Sequence, residues 1–374
     1  MSERVALAGH PGSTAAPDDG RRPWGRKLAG RIGLLLLGLA VPFLVDTFLL
    51  QIGLFAMAAA VAALGMTLLL GQAGQLSLGH SFFLAVGAYG YTFLAAPSDR
   101  LAAGLGLPPA VAALLATVLA GVAGLLFSPI AARLRGIYLG IATLGLVFLA
   151  QYVLANAPRL TGGDNGRSVP AFTLGGLTFG SDPGGPHYLL NVLWGREQKL
   201  WYLFLLVTVA AYGYLRTLIR ARPGRTLRAI RDRELMAGII GVPVTRYKAY
   251  VFLLSSMYAG LGGVLFAIAL RRIVPETFGV SLSIEYLAMV VIGGLGVAGG
   301  AVAGAAFVAG LPSVLERYAG VLPGLATSAG ASGVSPAVAA KFGYGAVVVL
   351  LLLFEPDGLA GLAARLRHRP RRPS

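Results

Sequence analysis

The sequence contains no cysteine, and only 12% of its 374 residues are charged. Without thiols the chain forms neither a disulfide framework nor a thiolate metal site, and its redox compartment stays open. The four histidines (His10, His80, His187 and His368) stand apart from one another. HExxH motifs, suitably spaced carboxylate pairs and nucleophile motifs are all missing, so the sequence gives no basis for an enzyme.

Nucleotide-binding motifs are also scarce. The phosphate-binding pattern GxxxxGK[ST] does not occur, and Gly294, Gly296 and Gly299 match GxGxxG only within an apolar run of small residues. A dinucleotide site needs those glycines between a strand and a helix, so close helix packing is the better interpretation. We therefore expect no cofactor or metal on this chain, and any ATP that drives it must bind to another chain.

Apolar residues are abundant instead. They make up 56% of the sequence, with 53 glycines and a mean hydropathy of +0.75. They fall into runs of about 20 residues, the length that a helix needs to cross a bilayer. The fold class predicted is an all-α polytopic membrane protein, with spans near 32–51, 53–71, 81–97, 110–131, 137–155, 200–219, 249–270 and 342–354, and a long run over 285–311.

The long run decides the topology. If 285–311 forms two short helices hinged by glycines near Gly299 and Gly300, the total is about ten spans and both termini are cytoplasmic. Most of the 31 basic residues then lie inside, as the positive-inside rule requires. The predicted organisation is a basic cytoplasmic tail (1–31), a transmembrane domain (32–355) with an inner loop (220–248) and an outer loop (156–199), and a second basic tail (356–374).

The net charge of +16 is explained by this topology and by contact with anionic lipid at the inner leaflet. Nucleic-acid binding is not expected, because the basic residues flank spans and no nucleic-acid module is recognised. The first apolar run is too long for a typical signal peptide and lacks an obvious cleavage site, so we expect an uncleaved first helix.

The inner loop contains the most charged stretch, GRTLRAIRDRELMAGIIGVPVTRYKAY, residues 224–250. Pro223 and Gly224 should end the preceding helix, and Gly241 and Pro243 should end the next one, leaving a helix of about 15 residues. Its charges do not sort to one face, which favours docking into a protein cleft over lying on lipid. The alternative is a basic loop that only sets topology.

At these residues the sequence resembles the LivM-type permease subunits of the branched-chain amino acid ABC transporter family. Three further stretches agree in order and spacing: GQAGQLSLGHSFFLAVGAYGY (71–91), LRGIYLGIATLGLVFLAQYVLANAPRLTGGDNG (134–166) and SIEYLAMVVIGGLGVAGGAVAGA (283–305). The resemblance covers about residues 70–360. It implies a bacterial inner-membrane importer subunit that works with a second related permease, two cytoplasmic ATPases that use ATP and Mg, and an extracytoplasmic solute-binding protein.

The resemblance also implies a coupling helix, which in such permeases has an EAA-like sequence that ends in glycine. Glu234, Ala237 and Gly241 occupy that region, but Leu235 and Met236 stand where small residues are usual. We expect polar contacts to the ATPase from Arg228 and Glu234, apolar anchorage from Leu235 and Met236, and a sharp exit at Gly241. The outer loop becomes a docking surface for the solute-binding protein.

The solute path is less clear from sequence. Candidates are Gln72, Gln75 and Ser77, beside His80, in a block that either unwinds to offer backbone dipoles to a zwitterion or merely caps a helix. Tyr138 and Thr143 are expected to face the bundle, as path residues or as helix contacts.

Two further features remain open. Asp46, inside the first predicted span, is either a functional carboxylate or solvated at the outer interface. Residues 319–340 resemble a flexible outer linker.

Three functional alternatives also stay open. The first is import of branched-chain amino acids, the second is import of urea or short amides by the same machinery, and the third is a self-sufficient secondary transporter or channel. Few charged residues lie in the spans, which argues against the third. Pairing of the permease as a homodimer or a heterodimer is not determined by the sequence.

Overall fold

A computed structural model of the chain describes residues 33, 36–98, 103–134, 136–175, 177–180, 187–189, 192–318, 335–355 and 358–367. The predicted tail 1–31, most of the linker 319–340 and the last seven residues lie outside these ranges. The chain divides into two units, Met1–Leu44 and Val45–Ser374. In the first unit, residues 36–44 form a helix, α1.

The second unit is almost entirely helical. Its helices are α2 (Thr47–Met66, continued by a π-helix over Thr67–Gln72), α3 (His80–Ala95), α4 (Pro109–Arg133), α5 (Ile137–Asn156), α6 (Pro158–Thr161), α7 (Arg196–Arg220), α8 (Arg222–Asp232), α9 (Glu234–Ile239), α10 (Val244–Leu270), α11 (Val280–Gly293), α12 (Ala298–Arg317), α13 (Pro336–Phe354) and α14 (Gly358–Arg367). Two 3₁₀ turns cover Gly163–Asn165 and Pro275–Phe278.

Six of the described helices are long and apolar enough to cross a membrane: α2 with its π-helix, α4, α5, α7, α10 and α12. Shorter apolar helices cover Val280–Gly293 and Pro336–Leu351. Together with α1 and α3, the described residues contain ten helices that correspond one to one with the ten predicted spans. The predicted class, an all-α polytopic membrane protein, is confirmed.

Helices α2 and α10 form the centre of the second unit, because most of each is buried by neighbouring helices. Small residues allow the helices to approach closely there, as is usual within a membrane. A Cβ built on Gly87 of α3 would lie 2.1 Å from the carbonyl oxygen of Gly260 in α10, and one on Gly262 would lie 2.7 Å from Ala62 of α2. The abundance of glycine therefore supports packing.

The boundary between the first two predicted spans is wrong. The sequence suggested a division between 51 and 53, whereas α2 runs through Gly53 and the chain breaks at Val45 and Asp46. The tertiary contact explains the difference, because a Cβ on Gly53 would lie 2.2 Å from the Trp201 ring of α7. Gly53 is thus a packing site inside a continuous helix.

The run 285–311 forms two helices, as predicted, but the break lies at 294–297 rather than near Gly299 and Gly300. Gly294 (φ 107°) and Gly296 (φ 81°) make the turn in conformations that other residues rarely adopt. Helices α11 and α12 then pack against each other, with Gly293 against Gly300 and Gly304 against Met289. Gly294 and Gly296 also pack closely, because a Cβ on Gly71 of the π-helix would meet the backbone of Gly296 and one on Gly358 would meet that of Gly294.

Short strands occupy the predicted outer loop and its surroundings. They are β1 (Arg167–Ser168), β2 (Thr173–Leu174), β3 (Leu177–Thr178), β4 (His187–Leu189), β5 (Val192–Trp194) and β6 (Arg272–Ile273). They pair antiparallel as β1 with β6, β2 with β3 and β4 with β5. Two bonds from Arg272 to the carbonyl oxygen of Asn165 (3.1 and 2.6 Å) reinforce the link between β6 and the start of the loop.

Two predicted irregular segments contain helix. Ser335 accepts a hydrogen bond from the N–H of Val338 (3.4 Å) as the N-cap of α13, so the last residues of the predicted linker are helical. The predicted basic tail 356–374 contains α14, and Arg365 of that helix pairs with Glu355 (2.9 Å).

Candidate functional site

The charged stretch of the inner loop, residues 224–250, forms two short helices and not the predicted single helix of about 15 residues. Helices α8 and α9 are separated at Arg233 (φ −150°, ψ 80°). Within α8 the residues do sort by face. Leu227 and Ile230 are buried against the protein, whereas Arg225 and Arg228 are exposed. The sequence alone hides this sorting, because the charges of α8 and α9 appear scattered when both segments are projected onto one helix axis.

Four large apolar side chains beyond the break form what we call the α9 patch. They are Leu235, Met236, Ile239 and Ile240, exposed at 70, 55, 78 and 76%. Ala237, on the opposite side of α9, is buried. The patch lies in a short segment between the long helices α7 and α10, and in the sequence it follows the exposed arginines of α8.

The carboxylate of Glu234 is turned toward α10. Its Oε1 accepts a hydrogen bond from Nζ of Lys248 in α10 at 2.8 Å, and Lys248 is buried. A buried charge is tolerated only when it is paired, so Glu234 serves first to neutralise Lys248. Lys248 is not among the residues predicted from the sequence, although a lone lysine at the start of an apolar run was a visible signal.

The exit from α9 fits the prediction for Gly241. Gly241 has φ 88°. Its N–H donates to the carbonyl oxygen of Gly238 (3.0 Å), and the N–H of Val242 donates to the carbonyl oxygen of Ala237 (3.0 Å). These two bonds define a Schellman motif, in which glycine is preferred for the left-handed residue. The glycine therefore fixes the direction in which α10 begins.

Helix α8 is also tied to the core. Nη1 of Arg231 donates a hydrogen bond to the carbonyl oxygen of Gly71, in the π-helix at the end of α2. The amide Nε2 of the next residue, Gln72, donates to the carbonyl oxygen of Gly296, in the turn between α11 and α12 (2.8 Å). Arg228, in contrast, is exposed on the outside of α8.

Gln72 ends the π-helix, whereas Gln75 and Ser77 lie in an unwound block that fits both alternatives, a break that offers backbone dipoles and a helix cap with its turn. Residues 74–79 lie outside any helix between the π-helix and α3, and the three side chains are buried. The hydroxyl of Ser77 accepts the N–H of Gly79 (3.2 Å). His80, also buried, bonds through Nε2 to the carbonyl oxygen of Ala62 (2.9 Å).

Thr143 faces the bundle, but Tyr138 does not. The hydroxyl of Thr143 donates to the carbonyl of Gly140 and accepts the N–H of Leu78, both at 2.9 Å. It therefore holds the unwound block in place. Tyr138 is 71% exposed on the outer face of α5, so the expectation that it faces the bundle is wrong.

A cavity of about 110 Å³ lies where the unwound block meets α8 and α9. Its lining residues come from five parts of the chain: Ala73, Gly74, Gln75, Leu134, Gly136, Leu139, Ile230, Arg231, Glu234 and Lys248. Within the part of the chain that the structure describes, neither amide atom of Gln75 has a hydrogen-bond partner. Predicted path and coupling residues thus share one cavity.

Asp46 lies at the break before α2, and its side chain is 76% exposed. Its Oδ2 is 3.7 Å from Nη2 of Arg317, near the end of α12. An exposed, paired carboxylate at a helix end favours the interfacial interpretation over the functional one.

These features define a polytopic membrane protein with a short, charged helical segment joined to two long helices. Residues 48–353 match the model of a family described as the permease component of branched-chain amino acid transport systems. The chain belongs to that family, and it is a multi-pass protein of the bacterial inner membrane.

Individual relatives agree. The chain is 33% identical over 274 residues to the high-affinity branched-chain amino acid transport system permease proteins LivM of Salmonella typhimurium and Escherichia coli, covering 71% of this chain and 63% of each relative. It is 25% identical over 308 residues to the permease protein BraD of Pseudomonas aeruginosa, covering 81% of this chain and 91% of that protein. The chain thus spans a little under two thirds of the two LivM proteins. No solved structure matches it.

Proposed function

We propose that this chain is the membrane subunit of an ATP-driven, binding-protein-dependent importer of branched-chain amino acids. Its partners would be a second related permease, two cytoplasmic ATPases that bind ATP and Mg, and an extracytoplasmic solute-binding protein. Family membership and the names of the relatives support the solute class. The missing phosphate-binding motif in the sequence is consistent with ATP hydrolysis on separate subunits.

The observation that carries the proposal is the α9 patch. Four large apolar side chains exposed in a segment between spans need a cover, and the exposed arginines of the preceding helix α8 are available for a polar rim. An apolar centre with a polar rim is the usual anatomy of a protein interface. We assign the patch, with Arg228 beside it, to docking of an ATPase subunit.

The contacts behind the patch supply a route for movement. Glu234 links α9 to Lys248 of α10, and Arg231 links α8 to the end of α2. A force on the α9 patch therefore reaches two central helices through an ion pair and a hydrogen bond. Rigid-body movement of attached helices is an established way to transmit such a force. Glu234 then acts inside this joint.

The first experiment compares two leucine-to-aspartate variants. Leu235→Asp places a carboxylate in the patch, whereas Leu362→Asp makes the same change at an exposed leucine of α14, 41% exposed. Loss of one buried leucine contact is worth about 2 kcal/mol, or roughly 30-fold in affinity. We expect Leu235→Asp to lose co-purifying ATPase and stimulated ATP hydrolysis in lipid. The proposal fails if both variants retain the ATPase subunits equally.

A second experiment addresses the solute and the energy source. Proteoliposomes containing the whole assembly should take up leucine, isoleucine or valine only with the loaded binding protein and internal ATP. Uptake of urea or short amides instead would select the second alternative. Uptake by this chain alone, driven by an ion gradient, would select the third.

A further inference from the structure

The cavity beside α8 and α9 has a charged half. Lys248 and Glu234 form its ion pair, Arg231 adds a second cation, and Gln75 adds an amide. The described lining thus offers both a cationic and an anionic group within one small space. Exposed Gly74, Gly136 and Arg231 border it, so it can be reached from solvent.

Gln75 indicates that the cavity receives a polar ligand. Its side chain is nine-tenths or more buried, it lines the cavity, and both its donor and its acceptor lack a partner among the described residues. A buried amide without partners is costly to maintain and is rare in folded proteins. Gln72, three residues earlier, differs in that its Nε2 bonds to the Gly296 carbonyl, although its Oε1 also lacks a partner among the described residues.

The other half of the cavity is apolar. Leu134, Leu139 and Ile230 line it, and the last two are almost completely buried. The volume of about 110 Å³ is well above the roughly 10–15 Å³ that a cavity needs to hold a single water molecule. That space suits a carboxylate, an ammonium group and the carbon between them, with an aliphatic side chain along the apolar wall.

We propose that this cavity is a cytoplasm-facing binding site for an aliphatic amino acid in its zwitterionic form. The ligand carboxylate would meet Lys248 and Arg231, the ammonium group would meet Glu234, and the amide of Gln75 would bond to either. Ligand binding would then replace the ion pair between Lys248 and Glu234 with two contacts, one from Lys248 to the ligand carboxylate and one from Glu234 to the ligand ammonium group. This inference rests on the proposed function for its orientation and for its ligand class.

The cavity joins the unwound block to the segment proposed to dock the ATPase, so a bound ligand would affect transport. Gln75 belongs to the unwound block, whereas Arg231 and Glu234 belong to the segment proposed to dock the ATPase. A ligand that bridges them would hold the joint in one arrangement. Imported amino acid that accumulates inside should therefore slow further import.

The test uses the complete assembly in lipid without the solute-binding protein, and equilibrium binding of radiolabelled L-leucine. We expect saturable binding that 4-methylpentanoate, which lacks the ammonium group, and leucinamide, which lacks the carboxylate, displace at least about 10-fold less well. Gln75→Leu and Lys248→Met should each weaken binding by about 10-fold or more. Lys341→Met is the matched control, because Lys341 pairs with Glu285 (3.7 Å) on other helices.

Several outcomes would overturn the inference. They are no saturable binding by the wild type, displacement by 4-methylpentanoate as effective as by leucine, or equal weakening by Lys248→Met and Lys341→Met. If the polar variants do not assemble, Ile230→Phe narrows the apolar half and should also weaken binding. Binding-protein-dependent uptake is measured in parallel, because a wild type that takes up leucine but shows no saturable binding at this cavity refutes only this inference and leaves the proposed function standing.

Discussion

The contact between α3 and α10 can be tested with a single methyl group. Gly87→Ala would place a Cβ 2.1 Å from the carbonyl oxygen of Gly260. An ordinary contact between carbon and oxygen is about 3.3 Å or longer. The two backbones would therefore have to separate by about 1 Å, and no flexible side chain can yield in their place.

The surroundings make that separation difficult. Gly260 also faces α4, where a Cβ on it would lie 2.3 Å from the Cβ of Ala120. Helix α10 is thus held between α3 and α4 and cannot retreat from one without pressing on the other. Overpacking of this kind costs about 1–3 kcal/mol, and we expect the upper end because backbone must move on both sides.

The assay is the thermal midpoint of the purified full chain, measured by recovery in size-exclusion chromatography after heating. Gly213→Ala in α7 is the matched control, because nothing lies within 4 Å of its built Cβ. Alanine favours helix over glycine by up to about 1 kcal/mol, so the control should be neutral or slightly stabilising. Equal midpoints for the two variants would refute the packing argument.

Two more pairs of variants test the site. Gly241→Ala forces a methyl into a left-handed residue at a cost of about 1–2 kcal/mol and should weaken stimulated ATP hydrolysis, whereas Gly238→Ala, equally open but without a positive φ, should not. Equal stimulated ATP hydrolysis in the two glycine variants would contradict the role of Gly241 in ending α9. Thr143→Val leaves the N–H of Leu78 without its acceptor and should cost about 1–3 kcal/mol in thermal stability. Thr117→Val, which loses only a bond within its own helix, should cost less, and equal losses would contradict a pinning role.

The apolar runs predicted the helices because hydropathy depends on local composition alone. The glycine-rich run 285–311 also divided as predicted, since two glycines with positive φ leave few alternatives to a turn. The predicted boundary between the first two spans, near Gly53, was wrong because it depends on a contact with a distant helix. A glycine has the same local meaning at a hinge and at a packing site, and only the Trp201 ring on a distant helix distinguishes them.

The inner segment shows the same limit at the level of function. Its borders, its exposed leucine and methionine and its glycine exit follow from local sequence, because turn chemistry and helix ends are local properties. The direction of the Glu234 side chain does not follow from local sequence. That side chain turns inward because Lys248, on the next long helix, is buried and needs a counter-charge.

The sequence predicted the same direction for Tyr138 and Thr143 and did not separate them, since both lie on one apolar helix whose residues carry no strong periodicity. The difference comes from the unwound block, which presents the N–H of Leu78 to only one face of α5. A buried N–H requires an acceptor, and a hydroxyl one turn further along the helix supplies it. In a chain this apolar, the few polar groups are placed by the backbone breaks of their neighbours, so their roles emerge only when the breaks are known.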